Sequence, residues 1–429
     1  MKILVVGSGA REHILCDTFV KLGHQVLAAP GRESLWQGVS SVAVQATDIP
    51  GVTNWAKANR PDLVVVGPEN PLVDGLADRL RQEKIPVFGP SARAAFLSEG
   101  SKAESKSLMR AAKVPTSAFR VYSDYDAAKA CIMSNPVPIV VKASGLAAGK
   151  GAYVCKTREE ALEALDQAMV KKVYGKAGDQ VVIEQFVAGP EVSAMAICDG
   201  ETCLMLPSSR DHKQAFDGNQ GKMTGGMGAV SPAPGVTPEM MEQAKDRIIL
   251  PFLAELKKAG APFVGCLYGG LKISPSGLLM TLEFNCRFGD PEILAVLRRL
   301  APSVDLAQLL LQCANGRLDP IWETRQNGLW IPECAIDVVL ATKGYPDQDK
   351  ADYGKVISGI GEAHRIPGVA VFDAGSKLAE NTTRVNTSGR VLNVTAIGPT
   401  LEKARETVYR AVGCINFQGM QFRTDIGLW

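Results

Sequence analysis

Thr281-Leu282-Glu283-Phe284-Asn285-Cys286-Arg287-Phe288-Gly289-Asp290-Pro291-Glu292 decides how the rest of this 429-residue chain is read. Along an extended strand successive side chains alternate faces, which puts Glu283, Asn285 and Arg287 on one side and Leu282 and Phe284 on the other. A carboxylate beside an amide oxygen suits a hard cation, and an arginine two residues on can hold a phosphate or carboxylate next to it. A solvated edge strand with Arg287 paired to Glu283 would carry the same triplet, so the surrounding motifs must decide. Upstream, Val264 to Ile273 and Leu278 to Phe284 read as a hairpin across Ser274-Pro275-Ser276-Gly277, preceded by a long helix from Pro238 to Lys258.

Further upstream, the strand Ile139-Val140-Val141-Lys142 runs into small residues, Ala143-Ser144-Gly145-Leu146-Ala147-Ala148-Gly149-Lys150-Gly151, before a second strand resumes. Glycines let backbone N–H groups close over phosphate oxygens, and lysine adds a point charge to the same oxygens. No Ser or Thr follows Lys150 and no helix begins there, so this is a flap between strands rather than a G-x-x-x-x-G-K-[ST] loop. Val181 to Val187 forms another strand that breaks at Gly189-Pro190-Glu191. Lys102 and Lys106 share one face of a helix, where solvation is the ordinary fate of two like charges.

The first hundred residues alternate strand and helix patterns as an open parallel sheet demands. Gly7-Ser8-Gly9-Ala10-Arg11-Glu12-His13 joins the first strand to the first helix, where free N–H groups favour an anion. A dinucleotide fingerprint would have glycine where Glu12 stands, so a small phosphorylated ligand fits better. Glu69, at the carboxyl end of a later strand, is a candidate polar contact or equally a helix-initiating acid. Ser209 to Lys213 and the glycine-rich run to Gly228 read as a long binding loop. His212 is as well explained by a structural hydrogen bond as by substrate positioning. From Glu333 onward, strands at Ala335 to Ala341, Val369 to Phe372 and Val391 to Ala396 and a helix at Leu401 to Val412 form a small α+β unit. Arg390 and Lys355 within it are candidate contacts, with solvated surface the commoner fate of such residues.

A hydrophobic content of 46% and a charged content of 21% are globular values, and a net charge of +2 gives no polyanion-binding signal. Nucleic acid and membrane are therefore not expected partners. Met1 leads straight into a strand, with no export-signal pattern, and ten scattered cysteines read as buried small hydrophobes in a reducing compartment. A cytoplasmic protein is expected.

In this order the motifs resemble the ATP-grasp enzymes, and within them the phosphoribosylamine–glycine ligase family. The likeness runs through Arg11-Glu12-His13, Gly67-Pro68-Glu69, Glu99-Gly100-Ser101-Lys102, the flap, Asp211-His212-Lys213, Thr224-Gly225-Gly226-Met227-Gly228 and Glu283 to Glu292. It implies an α/β and α+β multidomain chain. Residues 1–100 would form an N-terminal open parallel α/β sheet, 101–325 an ATP-grasp fold with a mobile lid at about 116–190, and 326–429 a small C-terminal α+β domain. It further implies that ATP is held by Lys106, Lys142, Gly145, Gly149, Lys150, Gly151, Glu184, Gln185, Phe186, Val187 and Glu191. Mg²⁺ or Mn²⁺ would sit on Glu283 and Asn285. Arg287, Lys142, Asp211 and His212 would be catalytic, and Gly9, Arg11, Glu12, Glu69, Lys213, Thr224, Gly225, Gly226 and Asp290 would meet glycine and phosphoribosylamine.

The implied product is glycinamide ribonucleotide, made by a monomer or at most a dimer. Departures from the family pattern are Ala10, Arg32-Glu33-Ser34, Ser144, Lys222-Met223 and Ile293-Leu294. Most fall on the side of the amine and amino acid, which leaves another ATP-grasp carboxylate–amine ligase or carboxylase as the alternative. A nucleotide-binding protein without catalysis, and a dinucleotide-dependent oxidoreductase resting on Gly7-Ser8-Gly9, are the more distant readings.

Overall fold

A computed structural model describes residues 1–32, 34–147, 151–324, 328–347, 349–379 and 382–429. The N-terminal sheet is parallel throughout, in the order β3-β2-β1-β4-β5, with β1 Lys2–Gly7, β2 Gln25–Pro30, β3 Val39–Ser41, β4 Leu63–Val66 and β5 Val87–Phe88. Both faces of a parallel sheet are covered, and β1 shows how: Leu4 and Val6 join one buried cluster while Ile3 and Val5 join another. Helix α1 (Ala10–Lys21) follows β1 directly. The short strand β3 was not evident in the sequence, and the helical stretch at 72–83 is divided at Gly75.

Two antiparallel sheets make up the centre. The outer one runs β6-β9-β7-β8, from Phe119–Tyr122, Val181–Gln185, Ile139–Ala143 and Ala152–Cys155, and closes its own core with two helices through residues such as Ile132, Val141 and Leu165. The inner one runs β11-β10-β16-β17, from Cys203–Met205, Glu191–Asp199, Val264–Ile273 and Leu279–Asn285. Alternation along β10 sends Val192, Ala194 and Ala196 to the same cluster as Leu4, and Met195 and Ile197 to the cluster of Ile3. The central sheet is thus joined to the N-terminal one through both cores. The segment read as one helix from Pro238 to Lys258 is helical throughout, with a π turn at Lys245–Ile249.

The third large sheet was only half expected. Its C-terminal strands β18 (Cys334–Thr342), β19 (Val369–Asp373) and β22 (Arg390–Gly398) match the sequence reading, and a helix at Leu401–Val412 covers them. It continues, however, through β15 (Gly228–Ser231) to β12 (Arg210–Asp211) in the order β12-β15-β18-β22-β19. The run read as one long loop therefore holds one strand of this sheet, leads into a second, and includes a separate hairpin of β13 (Gln214–Phe216) and β14 (Gln220–Met223). Strands β20 (Ser376–Leu378) and β21 (Arg384–Asn386) form a second hairpin, and β23 (Met420–Gln421) pairs with the end of β18. Eight of the ten cysteines are buried, as expected. Among the described residues no helix is long and apolar enough to cross a membrane.

Candidate active site

A cleft of about 430 Å³ opens where these sheets meet, and its walls come from every part of the chain. On one wall stand Lys106, from helix α2 (Lys102–Ala111), and Lys142, from β7. Their Nζ atoms lie 3.0 Å from Glu184 Oε2 and 3.0 Å from Glu184 Oε1 respectively. Lys106 also donates to Thr116 Oγ1 at 2.7 Å, Lys142 to the Leu282 carbonyl at 3.2 Å, and Ser117 Oγ to Glu184 Oε2 at 2.9 Å. Burial lowers the Lys106 ammonium to about 8 despite Glu184. Burial also pushes the Glu184 carboxyl up, but the two lysines outweigh it and hold it below the usual range. The Glu184 side chain, expected against adenosine, is thus committed to the lysines.

The flap begins by tying itself to α2. The Ser144 carbonyl accepts from Lys102 N at 2.6 Å and Ser144 Oγ from Ala103 N at 3.1 Å, which satisfies donors that an α-helix leaves free at its start. Leu146, Ala147 and Gly151 line the cleft, while Gly145 is set back against Ala177. Gly149 and Lys150 lie outside the described residues. Gln185, Phe186, Val187 and Glu191 line the cleft beyond Glu184.

Opposite the lysines, β17 presents Glu283 and Asn285 to the cleft as expected. Phe284 is buried and stacked on Phe252 at 3.9 Å between centroids. Strict alternation fails at Leu282, because Gly270 pairs with Glu283 and Leu271 with Thr281. A bulge therefore leaves Leu282 without a partner of its own and turns it to the cleft beside Glu283. Burial raises the Glu283 carboxyl, yet Lys102, Lys213, Lys142 and Arg287 together bring it down to about 2, so it is an anion at any ordinary pH. Lys102 was read as solvated, whereas it lines the cleft.

Arg287 is held in place by acids. Its Nη2 donates to Glu99 Oε1 at 3.1 Å and its Nε to Glu69 Oε2 at 3.3 Å. Glu69, raised by burial but lowered further by Arg287 and Arg11, falls to about 2. Glu99 stays above its ordinary value because burial exceeds the pull of Arg287. Arg11 reaches the same wall, donating to Glu12 Oε1 at 2.6 Å and to the Phe288 carbonyl at 3.2 Å.

Glu12 itself does not border the cleft. Its Oε2 accepts from Gly9 N at 2.7 Å, and its carboxylate fills the gap between the ends of β1 and β4. A Cβ on Gly67 would stand 2.0 Å from Glu12 Oε1, which is why that position has no side chain. Gly9 is likewise off the cleft, beside Asp290.

At the far end stand Asp211, Lys213, Thr224, Gly225, Tyr268, Asp290, Glu292 and Arg390. Tyr268 and Ser193 hydroxyls both donate to Glu292 Oε1, at 2.8 and 3.1 Å. Burial first, then Glu292, hold the Asp211 carboxyl well above its usual range, and its Oδ1 is buried without a hydrogen-bond partner. Arg390, read first as surface, donates from Nη1 to the carbonyls of Gly225 at 2.8 Å and Asp290 at 3.0 Å. The sequence offered it as a candidate contact but gave nothing to raise that above solvated surface; Tyr268, on a strand that reads as purely structural, gave no signal. Gly226, at φ +110°, is set behind this wall, where a Cβ would be 2.3 Å from Pro291 Cδ and 2.9 Å from Asp211 Oδ1.

His212 does not border the cleft. It is buried on the other side of the strand from Asp211, accepts at Nε2 from Gly427 N at 3.1 Å and stacks on Trp429. Burial, then Arg423, lowers its imidazole to about 3, so it is neutral. Lys355 is half-buried and not at the cleft. Arg32 is not at the cleft either: it donates to the carbonyls of Ser8, Ser376 and Ala374 at 2.9, 2.8 and 2.9 Å.

A lysine-bearing hairpin with a small-residue flap, facing a carboxylate and amide on a second antiparallel sheet, is an ATP-grasp arrangement. Three family models match in succession: the phosphoribosylglycinamide synthetase N domain over residues 1–98, its ATP-grasp (A) domain over 100–293 and its C domain over 335–429. The chain belongs to the phosphoribosylglycinamide synthetase family.

Among its relatives, the phosphoribosylamine–glycine ligase of Rhodopirellula baltica is 42% identical, covering 99% of this chain and 96% of the relative. The Escherichia coli protein of the same name is 39% identical, covering 100% and 98%. The crystal structure of phosphoribosylamine–glycine ligase from Thermotoga maritima superposes with a TM-score of 0.84 at 29% identity, over 99% of this chain and 100% of that one. A biotin carboxylase from Campylobacter jejuni shares the fold at a TM-score of 0.73 and 15% identity, over 98% and 92%.

Proposed function

We propose that the protein ligates glycine to 5-phospho-D-ribosylamine at the expense of ATP, giving glycinamide ribonucleotide, ADP and phosphate. The carrying observation is that relatives of that name are about 40% identical over essentially the whole chain. In this reading residues 1–100, 101–325 and 326–429 are the three domains and 116–190 the lid.

Lys106 and Lys142 hold ATP phosphates under the 143–151 flap. Backbone groups of 184–187 hold adenine, and Glu191 holds the ribose. A glycine carboxylate oxygen attacks the γ-phosphorus and ADP leaves, so glycyl phosphate forms. The amine nitrogen of phosphoribosylamine then attacks the glycyl carbonyl carbon, phosphate leaves, and the nitrogen loses a proton. No side-chain nucleophile is required, and the chain's contribution is positioning and charge neutralisation. Arg287, fixed by Glu69 and Glu99, neutralises the oxygens of the transferring group. Asp211, Lys213, Glu292 and Arg390 hold the acceptor substrates, with Asp211 and Glu292 the carboxyl pair facing their amines.

Glu283 and Asn285 are hard oxygen donors, one of them fixed as an anion, and they fit Mg²⁺ or Mn²⁺. Among the described residues no cluster of three or more His, Cys, Asp or Glu could hold a metal, so phosphate oxygens and water would complete the shell. When bound, the cation would neutralise charge on the ATP phosphates.

Of the altered stretches, Arg32 is spent on carbonyls and Lys222 on exposed Asp347, whereas Met223 lines the cleft and is the one departure that keeps a different small substrate as the second reading. The test is ADP release with Mg²⁺, ATP, glycine and freshly generated phosphoribosylamine, each omitted in turn. Turnover that needs all of them is expected; ATP binding without glycine-dependent turnover would retain the fold and discard the substrates.

A further inference from the structure

The strand that presents Asp211 and Lys213 to the cleft turns Arg210 and His212 the other way, and one side chain covers both. The Trp429 ring stacks on the His212 imidazole, with centroids 4.1 Å apart and planes 22° apart. The Arg210 guanidinium carbon lies 4.4 Å from the Trp429 ring centroid. The chain leading to Trp429 follows the same strand and the hairpin after it. Arg423, only 1% exposed, forks onto Asp425 at 2.7 and 2.7 Å and donates to the Gln214 carbonyl at 3.1 Å. Asp425 accepts from Gly218 N at 2.8 Å, Thr424 N donates to Asp217 at 2.8 Å, and Gly427 N donates to His212. None of these groups from 423 to 429 lines the cleft.

β12 pairs with β15 through Arg210 and Asp211, and single backbone bonds extend the pairing past it, from His212 N to the Gly228 carbonyl at 2.9 Å and from Met227 N to the His212 carbonyl at 2.9 Å, while Arg210 donates to the carbonyls of Glu191 and Pro234 at 2.8 and 3.0 Å. Stacking of a guanidinium and an imidazole on one indole adds a brace from behind. We propose that Trp429 is a positioning residue for the acceptor end of the cleft: by clamping Arg210 and His212 it fixes the strand that presents Asp211 and Lys213. The consequence for turnover rests on the activity proposed above; the clamp itself does not.

Trp429 is 55% exposed, so replacing it opens no core. The experiment compares full-length wild type with Trp429→Ala, Trp429→Phe and Trp429→Leu. Each substrate is varied in turn, ADP binding is measured directly, and amide hydrogen exchange is followed at His212, Thr224 and Met227, whose N–H groups bond along this strand. In Trp429→Ala, kcat/KM for glycine or phosphoribosylamine falls about tenfold while KM for ATP and ADP affinity stay within about twofold, because small misplacements cost rate steeply. Exchange accelerates at the three amides and not at Lys142 or Glu184, and Trp429→Phe restores both readouts more fully than Trp429→Leu. Equal losses for ATP and acceptor, unchanged rates, or unchanged exchange would each overturn the proposal. Wild-type protein inert toward glycine and phosphoribosylamine would overturn the activity instead, with exchange still deciding the clamp.

Discussion

Lys106 Nζ lies 3.0 Å from Glu184 Oε2, with 2% of each side chain exposed. An ammonium at that depth keeps its proton only against desolvation, which is why it titrates near 8 rather than at the 10.5 of a free lysine. A triphosphate brought against it favours the charged form and raises that value. Binding therefore leaves protonation unchanged well below pH 8 and takes up a proton above it. The apparent affinity for ATP is expected to be flat below about pH 8 and to fall as pH rises through it. Calorimetry in buffers of different ionisation enthalpy should register the uptake near pH 9, and Lys106→Gln should abolish it.

The cation proposed on Glu283 and Asn285 gives a second outcome that does not need turnover. Mg²⁺ should tighten ADP binding to the wild type, and Glu283→Ala should lose that gain while still binding ADP through Lys106 and Lys142. Turnover should drop roughly 10³-fold, the scale expected when several kcal/mol of charge stabilisation is removed. An unaltered response to Mg²⁺ in the variant would move the cation elsewhere.

Asp211 and His212 are sequence neighbours with opposite surroundings. Asp211→Asn should cost roughly 10²-fold in kcat/KM for an acceptor substrate, the usual scale for a positioned acid or base. His212→Phe, which keeps a ring against Trp429, should stay within about tenfold of wild type, since nothing of His212 reaches the cleft. Steady-state rates with each substrate saturating and limiting separate the two. A His212→Phe enzyme as crippled as Asp211→Asn would return the imidazole to the chemistry.

These contrasts show what a linear pattern can carry. Lys142 and Glu283 were legible because a strand's alternation and a run of glycines are local, and physics reads them without knowing the fold. Leu282 was misplaced because a bulge depends on how the partner strand is paired. His212 was misread because its neighbour Gly427 is 215 positions away. Arg390 was ranked below solvated surface because a lone arginine at the start of a strand looks the same on a surface as in a cleft. The β12–β15 extension of the C-terminal sheet was hidden for a related reason: strands of two and four residues leave no period to detect.

Arg32 is one of the departures from the resembled family pattern, and its surroundings show what it holds. Three of its nitrogens meet carbonyl oxygens, one on the turn after β19 and one at the start of β20, and its Nε lies 3.3 Å from the buried Asp373. The side chain therefore ties the turn after β1 to the C-terminal sheet rather than reaching a ligand. Arg32→Ala leaves those carbonyls without donors and Asp373 with Arg384 as its remaining cation. A loss of about 2–4 kcal/mol is expected from bonds of this charged kind. Urea unfolding would register it as a lower midpoint, with KM for ATP unchanged. Were Arg32 a substrate contact instead, stability would hold while the acceptor KM rose; Arg32→Lys, which keeps the charge but not the fork, should recover only part of the stability.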